Sequence, residues 1–336
     1  MRRLAIALLK WSLFIVVMIF VVRYGYRQTQ QIDWRSISWS PGWLILAVIV
    51  YFLGWIPAAW VWGELMRSAG ASIDSYSLLR AHFCGHIGKY VPGKALALVI
   101  RAALVREFNI GMGLAAMMAT VETLFTMSTG MLLTVVLLPV VLGTASPQLI
   151  AEAPPQLAPI FQAPSWQRWL AAGVVVIVAA ALIPVFSRLL ALAAKKLSGK
   201  SSNGSQPPEL RLPFKTVLLW GIVIGIGWLL NGLSLGLVLK GIGINPDLTN
   251  QPLLWTCAVA GATSLGFWVL FAPGGLGVRE AILVGLLQLS PQIDTSIAVL
   301  ASVLLRLVSF GSEVVFALLL YAVPRRRIIA PEESAE

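Results

Sequence analysis

The strongest constraint on this chain is the recurrence of apolar runs about as long as a membrane is thick. A helix needs ~20 apolar residues to cross the ~30 Å hydrocarbon core of a bilayer. Such runs extend from Leu4 to Val22, Gly42 to Gly63, Gly111 to Leu142, Trp169 to Ala194, Phe214 to Leu239 and Ser296 to Val323. Charged residues make up 12% of the 336 residues and hydrophobic ones 58%, with a mean hydropathy of +0.84, against ~25% charged in a soluble domain. Those values exclude a water-soluble globule, a disordered chain and a disulfide scaffold. Cys84 and Cys257 stand alone inside apolar runs, with no partner spacing for a bridge or a zinc site. The expected fold is all-α, a polytopic integral membrane helix bundle of about 6–8 spans.

The first run follows Arg2 and Arg3 as a signal peptide would. It is expected to remain as an anchor, because Val21-Val22-Arg23-Tyr24 is too bulky for a cleavage site. In the second run Trp43, Trp55, Trp60 and Trp62 are expected near the membrane interfaces. Two further apolar segments are interrupted. Ser77 to Val105 breaks at Pro92-Gly93, and its pieces are too short to cross the core as helices. Pro252 to Ala272 and Leu276 to Leu289 flank a second break at Pro273-Gly274-Gly275. Half-helices that enter and leave on one side fit both segments. Gly143 to Arg168, with five prolines, reads as a loop outside the bilayer, and Lys195 to Pro213 as a flexible basic linker. Gly221-xxx-Gly225 and Gly232-xxx-Gly236 in the Phe214 run permit close approach of helices.

Charge orients the scheme. There are 25 Lys and Arg against 14 Asp and Glu, a surplus of +11, which in a membrane protein points to cytoplasmic loops and not to nucleic acid. With the N-terminus inside, 14 basic residues fall on the inner side: Arg2, Arg3, Arg67, Arg80, Arg106, Arg188, Lys195, Lys196, Lys200, Arg211, Lys215 and Arg325 to Arg327. Five fall outside: Arg23, Arg27, Arg35, Arg168 and Lys240. The expected location is the inner cell membrane, with both termini cytoplasmic. Ten full spans have the same parity as six spans plus two hairpins, so charge does not separate them.

The two breaks occupy equivalent places. Each follows an apolar helix and opens a short helix that carries an arginine, Arg101 or Arg279. A long helix with a glutamate comes next, Glu122 or Glu313. In the inside-first topology the first break is entered from inside and the second from outside. One membrane domain over 1–336, with inverted pseudo-repeat halves at about 42–194 and 214–323 and a cytoplasmic linker at 195–213, is therefore expected. Two unrelated proline kinks in a helix bundle would give the same pattern.

Breaks of this kind create helix N-termini inside the membrane, and their free N–H groups and positive dipole ends favour an anion. Lys89, Pro92, Gly93, Lys94 and Arg101 stand at the first break, and Pro273, Gly274, Gly275, Arg279 and Glu280 at the second. A lone cation at depth costs roughly 2.5–3.5 kcal/mol, so each must pair with an acid, snorkel or bind an anionic ligand. Glu122, Glu280 and Glu313 are the acids at hand. Arg306 and Glu313, seven residues apart, share a face of the last helix. These thirteen residues are the candidate lipid-headgroup contacts.

Other motifs carry less. Gly88 to Lys94 has the GxxxxGK spacing of a phosphate loop, but Ala95 stands where the magnesium-binding hydroxyl belongs, and no strand precedes it. His82 and His86 share a helix face without a third metal ligand, which reads as a polar face turned to the bundle interior. Asp33, Asp74, Asp247 and Asp294 fall in loops or at span ends and make no catalytic pair. No catalytic residue, cofactor or metal site is expected.

Ala272-Pro-Gly-Gly-Leu-Gly-Val-Arg-Glu-Ala281, with Arg306 in the last span, resembles the membrane domain family of lysylphosphatidylglycerol synthases. Gly88-Lys-Tyr-Val-Pro-Gly93 with Arg101 is similar to that family's first motif, although Lys94 replaces a small residue. The resemblance covers roughly Leu44 to Val323. It implies a flippase domain that moves aminoacylated phosphatidylglycerol between leaflets, or a relative that accompanies enzymes acting on polyprenyl-phosphate sugars. The chain ends at Glu336 without the soluble synthetase domain, so aminoacyl transfer by this chain is not expected.

The expected function is binding or translocation of an anionic or aminoacylated phospholipid, or of a polyprenyl-phosphate-linked lipid. The alternative is an accessory or catalytic subunit of a lipid-linked glycosyl or aminoacyl transfer system. Expected partners are membrane lipids, with a lipid-modifying enzyme or glycosyltransferase in the second case.

Overall fold

The computed structural model describes residues 37–90, 95–108, 110–145, 158–198, 212–244, 251–269 and 277–323, together with Arg23, Tyr26, Gln30, Trp34, Ile150 and Gly275. The first apolar run, most of the linker and both Pro-Gly pairs lie outside these residues. Ten α-helices account for nearly all of the described chain, and no strand occurs among the described residues. They are α1 (Pro41–Ser68), α2 (Ser75–His86), α3 (Ala95–Leu104), α4 (Met112–Thr144), the single turn α5 (Ala158–Phe161), α6 (Ser165–Ser198), α7 (Phe214–Gly241), α8 (Gln251–Trp268), α9 (Val278–Leu287) and α10 (Thr295–Ala322).

Helices are what such a sequence must form, since in lipid every backbone N–H and C=O has to be satisfied within its own segment. Five of them, α1, α4, α6, α7 and α10, are long and apolar enough to cross a membrane. Each coincides with an apolar run in the sequence. Local chemistry sets several ends. Pro41 opens α1, where a missing N–H costs nothing. The Asp74 carboxylate accepts from the Ser77 backbone N–H at 2.9 Å to cap α2, and Asp294 accepts from Ile297 N–H at 2.8 Å to cap α10. Burial raises the Asp74 pKa, but hydrogen bonds from the Ser77 backbone and hydroxyl outweigh it and hold the group below the ordinary aspartate value.

The core pair is α1 against α7, with α8 lodged between α7 and α4. The short helices α2 and α3, on either side of the first break, pack on each other, as do α8 and α9 around the second. The last helix, α10, runs along α1, α2 and α9. By contrast α6 touches little besides α4, and its apolar side chains stay exposed (Ile177 is 69% accessible), a surface that suits lipid.

Two expectations need correction. Trp55 and Trp62 do not face the surroundings as boundary rings would: both are buried in the bundle, whereas Trp43 and Trp60 are exposed. The aromatic ring that belongs at a headgroup boundary also suits a packed interior, and α1 is covered on one face by α2, α7 and α10. The paired GxxxG motifs are unequal as well. A methyl at Gly232 or Gly236 would collide with Thr256 or Trp255 of α8, so this pair does permit close packing. Gly221 and Gly225 meet open space or the far end of Phe125.

Candidate functional site

The buried charges gather on the helices that flank the breaks. Arg101, on α3, is only 2% accessible. Its Nη1 donates to Glu122 Oε2 on α4 at 2.8 Å, its Nη2 lies 2.9 Å from His82 Nδ1 on α2, and its guanidinium sits 4.2 Å from the centre of the Trp62 ring. Arginine has no acceptor atom, so His82 Nδ1 receives this bond and the ring proton sits on Nε2. Glu122 is held in turn by the Thr126 hydroxyl, which donates to Oε1 at 3.0 Å. The close approach of α2 and α3 depends on glycine. A side chain at Gly85 would strike the Arg101 stem, and one at Gly88 would strike the Ala97 backbone.

Lys89, just past α2, pairs its Nζ with Glu313 Oε1 on α10 and stands 5.9 Å from the centre of the Trp55 ring. The Glu313 side chain is almost wholly buried and that of Lys89 is not. An ionic link therefore ties the first break to the last helix, 224 residues away in sequence.

At the second break Gly275 and Gly277 have φ of 72° and 83°, a left-handed backbone that glycine alone adopts cheaply. Glu280 then does two things. Its Oε2 accepts from Gly277 N–H at 2.7 Å, closing the start of α9, and its Oε1 meets Arg306 Nη1 of α10 at 3.2 Å. Arg279 is buried beside them, with Tyr51, Glu280 and Glu313 as its electrostatic neighbours. The ion pairs among the described residues join Lys89 to Glu313, Arg101 to Glu122, Arg306 to Glu280 and Arg67 to Glu64. None of them includes Arg279.

The candidate residues thus separate. Lys89, Arg101, Glu122, Glu280, Arg306 and Glu313 form three pairs, and Arg279 lies beside two of the paired acids. Gly275 shapes the second break. Pro92, Gly93, Lys94, Pro273 and Gly274 lie outside the described residues.

A further set belongs to the site and was not singled out from sequence. Tyr51, Trp55 and Trp62 of α1 are spaced four and seven apart, which puts them on one face. That face looks onto the cations: Tyr51 neighbours Arg279, Trp55 lies under Lys89 and Trp62 under Arg101. His82 and His86 complete a run of rings. Centroid distances are 6.3 Å for Tyr51–Trp55, 5.2 Å for Trp55–His86, 4.5 Å for His86–His82 and 6.2 Å for His82–Trp62. Six polar atoms in this run are buried without a hydrogen-bond partner: Tyr51 Oη, Trp55 Nε1, Trp62 Nε1, His82 Nε2, His86 Nδ1 and Arg101 Nε. An unmet buried polar atom costs roughly 1–3 kcal/mol, and six of them gather in this one place. The spacing of 51, 55 and 62 was the available signal, masked by the habit of tryptophan to sit at membrane boundaries.

These features define a class: a multi-helical membrane protein whose few buried charges and unmet donors gather where its helices are interrupted. Within that class the chain belongs to the family described as the lysylphosphatidylglycerol synthase TM region, whose model matches residues 3–318. The residues of the Ala272 to Ala281 phrase and of the Gly88 to Gly93 phrase both fall inside that match. A search of curated proteins gave no match.

Proposed function

We propose that the protein binds the anionic headgroup of a membrane lipid at the second break and carries it between leaflets. The observation that supports this most is Arg279, a buried guanidinium that enters none of the ion pairs among the described residues, with the Tyr51 hydroxyl and the Glu280 and Glu313 carboxylates as its neighbours. A guanidinium offers a planar fork that matches a phosphate with two parallel hydrogen bonds. Its cost at depth, roughly 2.5–3.5 kcal/mol, is repaid when a phosphate arrives. The short helix α9 adds the positive end of its dipole near the same point.

The polar face of α1 gives the headgroup a route. Tyr51 and Trp62 are eleven residues apart, or about 16 Å along a helix axis at ~1.5 Å per residue, roughly half of the ~30 Å core. Along that length Tyr51 neighbours Arg279, Trp55 lies under Lys89 and Trp62 under Arg101, and both indole N–H groups lack a partner, so a phosphate meets polar groups along the way and not bare hydrocarbon. The broken segments α2–α3 and α8–α9 act as re-entrant hairpins from opposite sides, in inverted halves at about 42–194 and 214–323, with both termini cytoplasmic. The lipid is an anionic phospholipid or a polyprenyl-phosphate-linked lipid, aminoacylated or not.

The test is reconstitution of the full chain in vesicles with a headgroup-labelled anionic lipid and a quencher added outside. Loss of signal from the inner leaflet should run faster than in empty vesicles. Arg279→Ala should slow it about tenfold or more, equivalent to ~1.4 kcal/mol or above. Transfer of neither phospholipid nor polyprenyl-phosphate lipid above the empty-vesicle rate overturns the reading.

A further inference from the structure

A cavity lies away from the charged face, where α4 ends, α8 begins and the turn from α9 to α10 passes over them. Its volume is about 160 Å³. A hollow of ~150 Å³ admits a six-membered ring, so this one is ample for a small cyclic or branched ligand. Its floor is apolar: Val141, Leu254 and Leu289 belong to a small hydrophobic cluster separate from the main core. Its rim is polar and uncharged, formed by Thr144, Gln251, Ser290 and Gln292. Leu289 and Ser290 follow the end of α9, so about ten residues, ~15 Å of helix, separate this cavity from Arg279.

The hydrogen bonds of the rim specify the ligand's chemistry. Gln251 Nε2 donates to Ser290 Oγ at 3.3 Å and to Gln292 Oε1 at 3.2 Å, which fixes the orientation of the Gln251 amide. Its Oε1 is buried with no donor to meet it. The Thr144 hydroxyl donates its proton to Val141 O at 3.0 Å and keeps its lone pairs as acceptors. The Ser290 hydroxyl, already an acceptor, still has a proton to give, as does the amide nitrogen of Gln292. Among the described residues the wall therefore presents acceptors and donors together and no charged side chain. A phosphate would lack a cation there, and an ammonium would lack a carboxylate. Vicinal hydroxyls, each donor and acceptor at once, above an apolar floor that takes the C–H face of a ring, satisfy the whole set.

From this geometry we propose that the cavity bounded by Thr144, Gln251, Ser290 and Gln292 binds a neutral polyhydroxylated group, a sugar ring or a polyol. The group comes either from a free saccharide or from the headgroup of a neutral glycolipid. The site is independent of anion binding at Arg279.

The experiment uses the full chain in phosphatidylcholine nanodiscs, which carry no hydroxylated headgroup. Methyl β-glucoside and glycerol are titrated by saturation-transfer NMR. The wild type should bind the glucoside, and Gln251→Leu should weaken it about five- to tenfold, the worth of one or two hydrogen bonds. Ser290→Ala should weaken it less, and serves as the second variant if Gln251→Leu fails to fold. Inorganic phosphate and tetramethylammonium should not displace the probe, and Arg279→Ala should bind it as the wild type does. Displacement by a diacyl glucoside added to the disc identifies the lipid as the source of the group; its failure to displace identifies the free saccharide. No binding of either probe, displacement by phosphate, or wild-type affinity in Gln251→Leu and Ser290→Ala together would overturn the proposal.

Discussion

The two breaks carry the same ingredients and use them differently. At the first, Arg101 is held on three sides, by the Glu122 carboxylate, the His82 ring nitrogen and the face of Trp62. At the second, Arg279 has acids close by, yet Glu280 is engaged with Gly277 and Arg306, and Glu313 with Lys89. A buried cation that already holds a carboxylate is neutralised where it stands. One outside the ion pairs is where the proposed function places the lipid phosphate. In the proposed function the first break is the anchor of the site and the second its working end, although in sequence they look alike.

The largest effect should come from the anchor. Glu122→Ala leaves a buried guanidinium without its acid, and removal of one partner from a buried pair costs about 3–5 kcal/mol. Denaturant titration of the purified chain should show a loss of that order; Arg101→Ala should do the same. Arg279→Ala should then give the reverse profile, with stability within about 1 kcal/mol of wild type, since no ion pair is broken, and lipid transfer strongly reduced. If the two arginines exchange profiles, the division of labour between the breaks is wrong.

An intermediate effect is expected for the link between α9 and α10. Glu280→Ala removes both a helix-end bond and an ion pair, and should cost about 1–2 kcal/mol in the same titration. Glu280→Arg combined with Arg306→Glu should recover the ion pair but not the bond to Gly277 N–H, so recovery should be partial. Complete recovery would show that the helix-end bond contributes nothing.

The smallest effect belongs to Asp74, the cap of α2. Asp74→Ala should cost about 1 kcal/mol at neutral pH. Because the folded state holds this carboxyl below its ordinary pKa, its contribution is present above the unfolded pKa and fades as pH falls through the folded one. Wild type and variant should therefore converge in acid, and a gap that persists below that range would remove ionisation from the explanation.

Spacing along the chain made the long helices legible, because a run of apolar residues the length of a bilayer has one physical use. The short helices α2, α3, α8 and α9 also end or begin close to the two Pro-Gly pairs, which themselves lie outside the described residues. What did not show was pairing across distance. Nothing around Lys89 says that its acid is Glu313, and four cations near two breaks look equivalent until the acids are assigned. Trp55 and Trp62 went astray for a related reason: an indole suits both a headgroup boundary and a crowded interior, and only the helices packed against α1 decide which. Gly232 and Gly221 carry the same motif, yet just one of them has a neighbour to meet.

The attachment of α10 to both breaks has a mechanical consequence. Glu313 holds the first break through Lys89 and Arg306 holds the second through Glu280, and the two grips are seven residues apart, about 10 Å on a helix at ~1.5 Å per residue. A helix does not stretch appreciably over two turns, so α10 works as a connecting rod. Tilting or turning it enough to loosen one grip displaces the other in the same stroke. The two breaks then cannot move independently, and timing between them is built into a single piece of the chain.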